Sequence, residues 1–588
     1  MKAEKWFLRN KKADFLGNAK KFNIHPVIAR LIRNRDIIED EDIRMFLYGA
    51  LEDLYSPYDM KNLELAADIL LDAVENGEKI RVISDYDVDG CMSCVILVKS
   101  LRTVGAKVDF DIPDRISDGY GINERLVRKA SEDGIDIILT CDNDIAAFKA
   151  ANLANELGIT LIVTDHHEIP FTEENGKIVY SMPDTDVIVD PKQEDETYPF
   201  RELCGAGISY KLAELLYEKI GRDKTEVYDF LQFAAIATVC DVVTLKSENR
   251  IIVKEGMKRL KTTKNIGLTA LYEASAVNRD AIGVYHLGFI IGPTINAAGR
   301  LSTAREAVEL FFEEDYAKAL EMAKDLRDKN DERKKLTEEG LGKAVEIIES
   351  TSLKENPVIM VFLEDCHESV AGIIAGRLKE KYYKPVIVAT ESGNLIKCSG
   401  RSVEGYNMFA ELSALKENFE HFGGHPMAAG VSFKPDKFEI IRHGLLERCT
   451  LTDDDLMEKV YIDVPLKMND ITQGLMKQLE LMEPAGSGNP RPLFAEKEIR
   501  ILGVKVFGKN RNVMKLKLKN PAGKVYDGVY FEKEEEIVSF FREKFGEEGA
   551  DALMRGYPAE GTVDITYYPE VNEFRGNRYL QIVIKSMR

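Results

Sequence analysis

At 588 residues, 45% of them hydrophobic and 31% charged, the chain has apolar material for several cores but no apolar run long enough to span a bilayer. A net charge of −20 excludes an evenly basic nucleic-acid binder, and eight cysteines in so long a chain exclude a disulfide scaffold. The charged start Met1-Lys2-Ala3-Glu4-Lys5 lacks a signal-peptide core, so a cytoplasmic protein with no membrane partner is expected.

Residues 1–80 read as a helical N-terminal segment, with Ile38-Glu39-Asp40-Glu41-Asp42 as a solvated helix start. From 81 to 312 the pattern is that of an α/β domain, and three strand-like runs end in acids. Arg81 to Ser84 leads into Asp85-Tyr86-Asp87-Val88-Asp89-Gly90, Asp136 to Thr140 into Cys141-Asp142-Asn143-Asp144, and Thr160 to Thr164 into Asp165-His166-His167. The helical run Phe230 to Val239 precedes a fourth cluster, Cys240-Asp241. Carboxylates and imidazoles at the carboxyl ends of strands collect along the edge where open α/β sheets bind ligands. Oxygen donors with a minority of imidazole suit Mn²⁺ or Mg²⁺ better than a thiolate zinc site. Two such ions would make phosphodiester hydrolysis the reaction class.

A calcium loop is the competing reading of Asp85, Asp87 and Asp89. Gly90 fits its sixth position, but Ile96 stands where the bidentate Glu is needed. Cys91-Met92-Ser93-Cys94 lacks a second pair at zinc spacing and reads as small buried hydrophobes.

Between Arg305 and Ser350, Ala307, Leu310, Phe311, Ala317, Leu320, Ala323 and Leu326 recur at helical spacing, and 313–350 is expected as a linker helix. A second α/β lobe follows over 351–450, with strands at Pro357 to Phe362 and Pro385 to Val388 around a helix from Val370 to Lys381. Its Ser399-Gly400-Arg401-Ser402 offers hydroxyls and a guanidinium to a phosphate, and Gly423-Gly424-His425 reads as a turn presenting an imidazole. In the last segment, 451–588, Ile501 to Val525 carries seven basic residues (Lys505, Lys509, Arg511, Lys515, Lys517, Lys519, Lys524) and no acid. Val513 to Lys519 alternates with period two, so Lys515, Lys517 and Lys519 are expected on one strand face. With Phe507 nearby for stacking, that face fits an OB-type β-barrel gripping a single strand.

The aspartate motif, Asp142, Asp165-His166-His167 and Asp241 together resemble the DHH phosphoesterases, and within them the RecJ-type exonucleases specific for single-stranded DNA. Further matches follow in family order: Ile112 to Arg115 with Gly119 to Asn123, Asn249-Arg250, Gly292 to Leu301, Ser399 to Ser402, Gly423 to His425, and Glu483 to Phe494. The resemblance implies a DHH catalytic domain, a DHH-associated domain over 351–450 and a C-terminal OB-fold whose closing strands lie in Tyr567 to Val583. It implies two ions bridged by Asp142, with Asp89, His166 and Asp241 completing one site and Asp87 anchoring the other. His167 would touch the substrate phosphate, and Asp85 and Asp165 would orient ligands from behind. Arg115, Arg300 and Arg401, with Asn296 and Ser399, would hold a 5′-terminal phosphate, and Gly423, Gly424 and His425 would face the cleft. Asp114 and Asp118 would orient Arg115 or pair at the surface.

Three positions depart from the pattern. Ile83 stands where many members have His, Asp144 where they usually have Gly, and Thr294 where others carry Arg. The implied function is 5′→3′ hydrolysis of single-stranded DNA to mononucleotides in DNA repair and recombination. Single-strand-binding protein and a helicase are the implied partners, and Lys509, Arg511, Lys515 and Lys517 the strand-gripping residues. A DHH phosphoesterase of short oligonucleotides or cyclic dinucleotides and a non-catalytic single-strand scaffold are the alternatives.

Overall fold

The computed structural model describes residues 4–115, 118–174, 177–574 and 577–588, so Met1 to Ala3, and Arg575 and Gly576 within the expected closing strands, lie outside it. Two compact units are formed: Gly49–Leu451 with Gly486–Gly488, and the residues to Tyr48 with Thr452–Ala485 and Asn489–Arg588. The stretch 1–80 therefore divides between the two units.

In the first unit, Lys79–Ser84, Lys107–Asp111, Ile137–Cys141, Thr160–Thr164 and Val187–Val189 form one parallel sheet. Numbered along the chain, these strands lie in the order second, first, third, fourth, fifth. Helices on both faces demand strands that are apolar on both faces, which is why Ile137–Cys141 is buried throughout. The strand order reverses between the first and third strands, the place where sheets of this order bind ligands. Register then aligns the strand ends: Ser84 pairs with Cys141, Cys141 with Thr164, and Thr164 with Val189.

The expected linker helix runs over Tyr316–Ser350. It does not continue unbroken from Arg305, because a short helix, Arg305–Leu310, ends before it. Acid caps make the break. Glu313 accepts the backbone N–H groups of Glu314 and Asp315, and Asp315 caps the new helix by accepting from Lys318 N at 2.9 Å.

The second lobe is a five-stranded sheet in the order His421–His425, Ala428–Phe433, Leu395–Arg401, Val386–Ser392, Ile359–Phe362. Only the last two are parallel, joined by the helix Glu368–Tyr382. Gly423-Gly424-His425 is therefore strand rather than turn: it pairs with Ala428 to Gly430, and the chain reverses at Pro426-Met427.

In the other unit, Phe494–Phe507, Val513–Lys519, Val525–Phe531, Val563–Phe574 and Asn577–Met587 close into a barrel. The alternation of Val513–Lys519 appears as expected, with Met514, Leu516 and Leu518 inside and Lys515, Lys517 and Lys519 outside. The N-terminal stretch contributes a strand to this unit, Glu4–Leu8, parallel to Glu458–Ile462.

Candidate active site

The register places Asp85, Asp142, Asp165 and Asp190 side by side just beyond the paired strand ends. Asp142 holds a left-handed backbone (φ 63°), an unfavourable conformation for a side chain and one often kept at functional positions. Its carbonyl accepts from the Tyr120 hydroxyl at 2.8 Å.

The His166 ring gathers the carboxylates. Its Nε2 lies 2.9 Å from Asp142 Oδ1, 3.4 Å from Asp89 Oδ2 and 3.8 Å from Asp241 Oδ2. Asp89 is fixed by the first turn of the helix Gly205–Lys219, accepting from Gly205 N at 2.7 Å and Ala206 N at 2.8 Å. That turn approaches closely because residue 205 is Gly: a Cβ there would sit 2.8 Å from Asp142 Cβ. Asp87 caps the helix Val88–Thr103 by accepting from Asp89 N at 2.8 Å. Asp241 follows directly on the helix Leu231–Cys240.

Three sets of donor atoms each lie within 4.8 Å of one another: Asp89, His166 and Asp241; Asp85, Asp87 and Asp142; and Asp142, His166 and His167. Asp85, expected only to orient ligands, is thus within ligand reach, and its buried Oδ1 has no hydrogen-bond partner. Ile83 offers no donor there; it is buried among Ile122, Ile138 and Val163.

The electrostatics of these carboxylates suit a cation. Burial, then neighbouring carboxylates, pushes Asp85 and Asp241 up to about 8, and raises Asp142 well above the usual range. Among the described residues no lysine or arginine forms an ion pair with Asp85, Asp87, Asp89, Asp142 or Asp241. Crowded buried carboxylates ionise together only beside a positive charge, so this donor set fits divalent ions. Burial also lowers His166, keeping its imidazole neutral and able to act as a ligand.

Asp165 plays another part. It accepts from His166 N at 2.7 Å, from Ile145 N at 3.0 Å, and pairs with His167 Nδ1 at 2.7 Å. Burial would lower His167, but its hydrogen bond to Asp165 raises it to about 9, so the ring is cationic at neutral pH.

Two further acids are buried beside the row: Asp144, which the sequence marks as a departure from the family pattern, and Asp190, which the sequence analysis does not name. Asp144 is fully enclosed, raised by burial, at φ 97°, and accepts from Ile122 N at 3.1 Å. Asp190 is raised to about 8 by burial and by Asp165. The signal for Asp190 was available, since Val187-Ile188-Val189 repeats the pattern of an apolar strand ending in an acid. The thiols of Cys91 and Cys94 are buried and raised, as expected of small hydrophobes.

A cavity of about 410 Å³ is lined by Tyr86, the residue between Asp85 and Asp87 in the chain, and by Arg115, Arg300, Ser399 and Arg401. Arg115 stacks on Tyr86, 4.6 Å from the ring centre. Arg300 is lowered to about 9 by burial and then by Arg115, and donates to Ser369 O at 2.6 Å. Burial lowers Arg401 as well. Arginines crowded and desolvated in this way favour an anion between them.

Other expected residues fall elsewhere. Asn296 lines a separate cavity beside Cys240, and Gly424 and His425 do not line the arginine cavity, whereas Gly423 and His421 do. Asp118 pairs with Arg125, not with Arg115. Thr294 is buried, donating to Ile290 O and accepting from Asn330 of the long helix. Beside Asn296 an exposed aromatic pair, Tyr285 and Phe289, stacks at 5.1 Å.

On the barrel, Lys515 sits 5.2 Å from the Phe507 ring centre, Lys517 pairs with Asp527 at 2.5 Å, and Arg511 pairs with Glu534. Lys509 lies in the same basic stretch, in the loop after Phe494–Phe507.

Comparison with known proteins matches residues 79–238 to the DHH family N-terminal domain, 355–450 to the DHHA1 domain and 462–586 to the RecJ OB domain. The single-stranded-DNA-specific exonuclease RecJ of Bacillus subtilis is 34% identical over 570 residues, covering 96% of this chain and 68% of that protein. The RecJ of Escherichia coli is 30% identical, with 96% of each chain covered. Thermus thermophilus RecJ in complex with Mn²⁺ has the same fold, with a TM-score of 0.80 at 24% identity over 99% of this chain and 79% of that one. A manganese-bound exonuclease RecJ superposes with a TM-score of 0.58 at 29% identity, covering 68% of this chain and 98% of that one.

Proposed function

This chain belongs to the RecJ family of single-stranded-DNA-specific exonucleases, and we propose that it hydrolyses single-stranded DNA from the 5′ end to mononucleotides. The observation that carries this reading is the arginine cavity opening beside the acid row at Tyr86. A strand whose terminal phosphate is held by Arg115, Arg300 and Arg401 brings its next phosphodiester toward that row.

Asp89, His166, Asp241 and the shared Asp142 would hold one Mn²⁺ or Mg²⁺ ion, and Asp85, Asp87 and Asp142 a second. Bound there, the ions supply charge stabilisation on the phosphate and a more acidic water. The chain's own groups do the positioning. Asp165 orients both histidines, and cationic His167 donates to a non-bridging phosphate oxygen, where negative charge grows as water attacks in line. The 3′ oxygen of the terminal nucleotide leaves with a proton.

Tyr285 and Phe289 offer a stacking surface for bases near Asp241, and the Lys515 face offers a grip on longer strands. We read the setting as cytoplasmic DNA repair and recombination, with a helicase and single-strand-binding protein exposing the strand. No helix is long and apolar enough to cross a membrane among the described residues.

An Asp142→Ala variant tests the reading. Turnover on a 5′-phosphorylated strand with Mn²⁺ should fall by about a thousandfold or more while strand binding changes by less than about threefold. Full turnover in that variant would remove Asp142 from the chemistry.

A further inference from the structure

The arginine cavity is longer than a single terminal phosphate requires. Along Leu395–Arg401 alternate side chains face it: Lys397, Ser399 and Arg401, while Ile396 and Cys398 are buried in the core. Register carries that face across the sheet in rows. Arg401 lies opposite Ala428, Ser399 opposite Gly430 and then Gly423, and Lys397 opposite Ser432 and then His421.

The middle row is almost bare. A Cβ at Gly423 would meet nothing within 4 Å, and one at Gly430 nothing nearer than 3.7 Å. The cavity is therefore a trough with a glycine floor, running from Arg401 to Lys397 over four residues, about 13 Å of strand. Its far end holds Lys397, His421 and Glu368, and Lys397 pairs with the largely buried Glu368 at 3.1 Å. His421 has no hydrogen-bond or ion-pair partner among the described residues.

We propose that this trough accepts 5′-polyphosphorylated strand ends, the phosphate nearest the nucleoside resting between the arginines and the outer ones reaching Lys397 and His421. This rests on the exonuclease reading given above and specifies its substrate class. A 5′-triphosphate carries roughly two more negative charges than a monophosphate at neutral pH, and the Lys397 ammonium, exchanging Glu368 for phosphate oxygens, meets part of that charge while the His421 ring offers a hydrogen bond. Cleavage keeps the same bonds. The water oxygen joins the phosphorus of the second nucleotide, the P–O3′ bond breaks, and the proton goes to O3′. The first product is then an intact nucleoside 5′-triphosphate, and the shortened strand carries a 5′-monophosphate.

The test uses the full chain and its Lys397→Ala and His421→Ala variants, with one DNA sequence bearing a 5′-hydroxyl, 5′-monophosphate or 5′-triphosphate. Equilibrium binding is measured by anisotropy, and the first product released with Mn²⁺ is identified. The triphosphate strand should bind at least as tightly as the monophosphate strand and release a nucleoside triphosphate first. Each variant should weaken the triphosphate strand by about tenfold and leave the monophosphate strand within about twofold. Triphosphate binding that is unchanged in both variants, or tenfold weaker than monophosphate binding in the wild type, overturns the proposal. Failure to turn over the monophosphate strand strikes the exonuclease reading instead, and the binding comparison still decides the trough.

Discussion

Asp144 shows how one residue's backbone and burial set its consequences. It sits at φ 97°, fully enclosed, with one carboxylate oxygen unpartnered. Its other oxygen shares the Ile122 N–H with Asn143 Oδ1, so the hydrogen bond survives without it. Asp144→Gly should therefore keep the fold and raise stability by about 1 kcal/mol in denaturant unfolding, because glycine carries no penalty at that φ. A loss of more than about 2 kcal/mol would mean the carboxyl is structurally required. The acid row makes a second prediction. With Asp85 and Asp241 raised to about 8, the metal-free folded chain keeps protons that the unfolded chain releases above about pH 4. The contribution of these two carboxyls to stability is therefore fully present below about pH 4 and is lost as pH rises through about 8. Divalent ions replace those protons, so the rise in Tm on adding Mn²⁺ should be small near pH 5.5 and large near pH 8.5. A shift independent of pH would contradict proton-for-metal exchange.

At the scale of elements, the barrel strand Val513–Lys519 is the plainest case of sequence determining placement. Strict alternation leaves only one way to bury Met514, Leu516 and Leu518, and the lysines follow outward. Reversing Lys515 and Lys517 to Glu should weaken binding of long strands and flatten the salt dependence by about one unit of slope per lost phosphate contact. An unchanged slope would remove this face from the strand path. The acid-bearing strands were equally legible, since an apolar run ending in Asp has one sensible place in a parallel sheet. What sequence did not disclose was lateral. Nothing local says that Ser84, Cys141, Thr164 and Val189 share a register, so Asp190 was overlooked, and the reach of Asp85 to Asp87 and Asp142 comes from the structure alone. The same holds for Gly423 to His425, whose glycines suggested a turn but whose pairing with Ala428 to Gly430 makes them an edge strand. In Arg305 to Ser350 the helical spacing was right, and the break came from acid side chains competing for backbone N–H groups.

For the whole molecule, the acid row and the arginine cavity belong to one unit and the basic barrel face to the other. A substrate too short to engage both should not notice the barrel. The Lys515 and Lys517 reversals should thus slow hydrolysis of strands of several tens of nucleotides and leave a dinucleotide unaffected, read as kcat/KM against length. Equal effects at all lengths would show damage to the fold instead of loss of grip. The most direct measurement is degradation of single-stranded DNA carrying different labels at its two ends, with Mn²⁺, beside the same strand in duplex form. Exonuclease action from the arginine cavity predicts early release of the 5′ label as a mononucleotide, late appearance of the 3′ label, and little cutting of the duplex. Early release of the 3′ label, or equal cutting of the duplex, would contradict it.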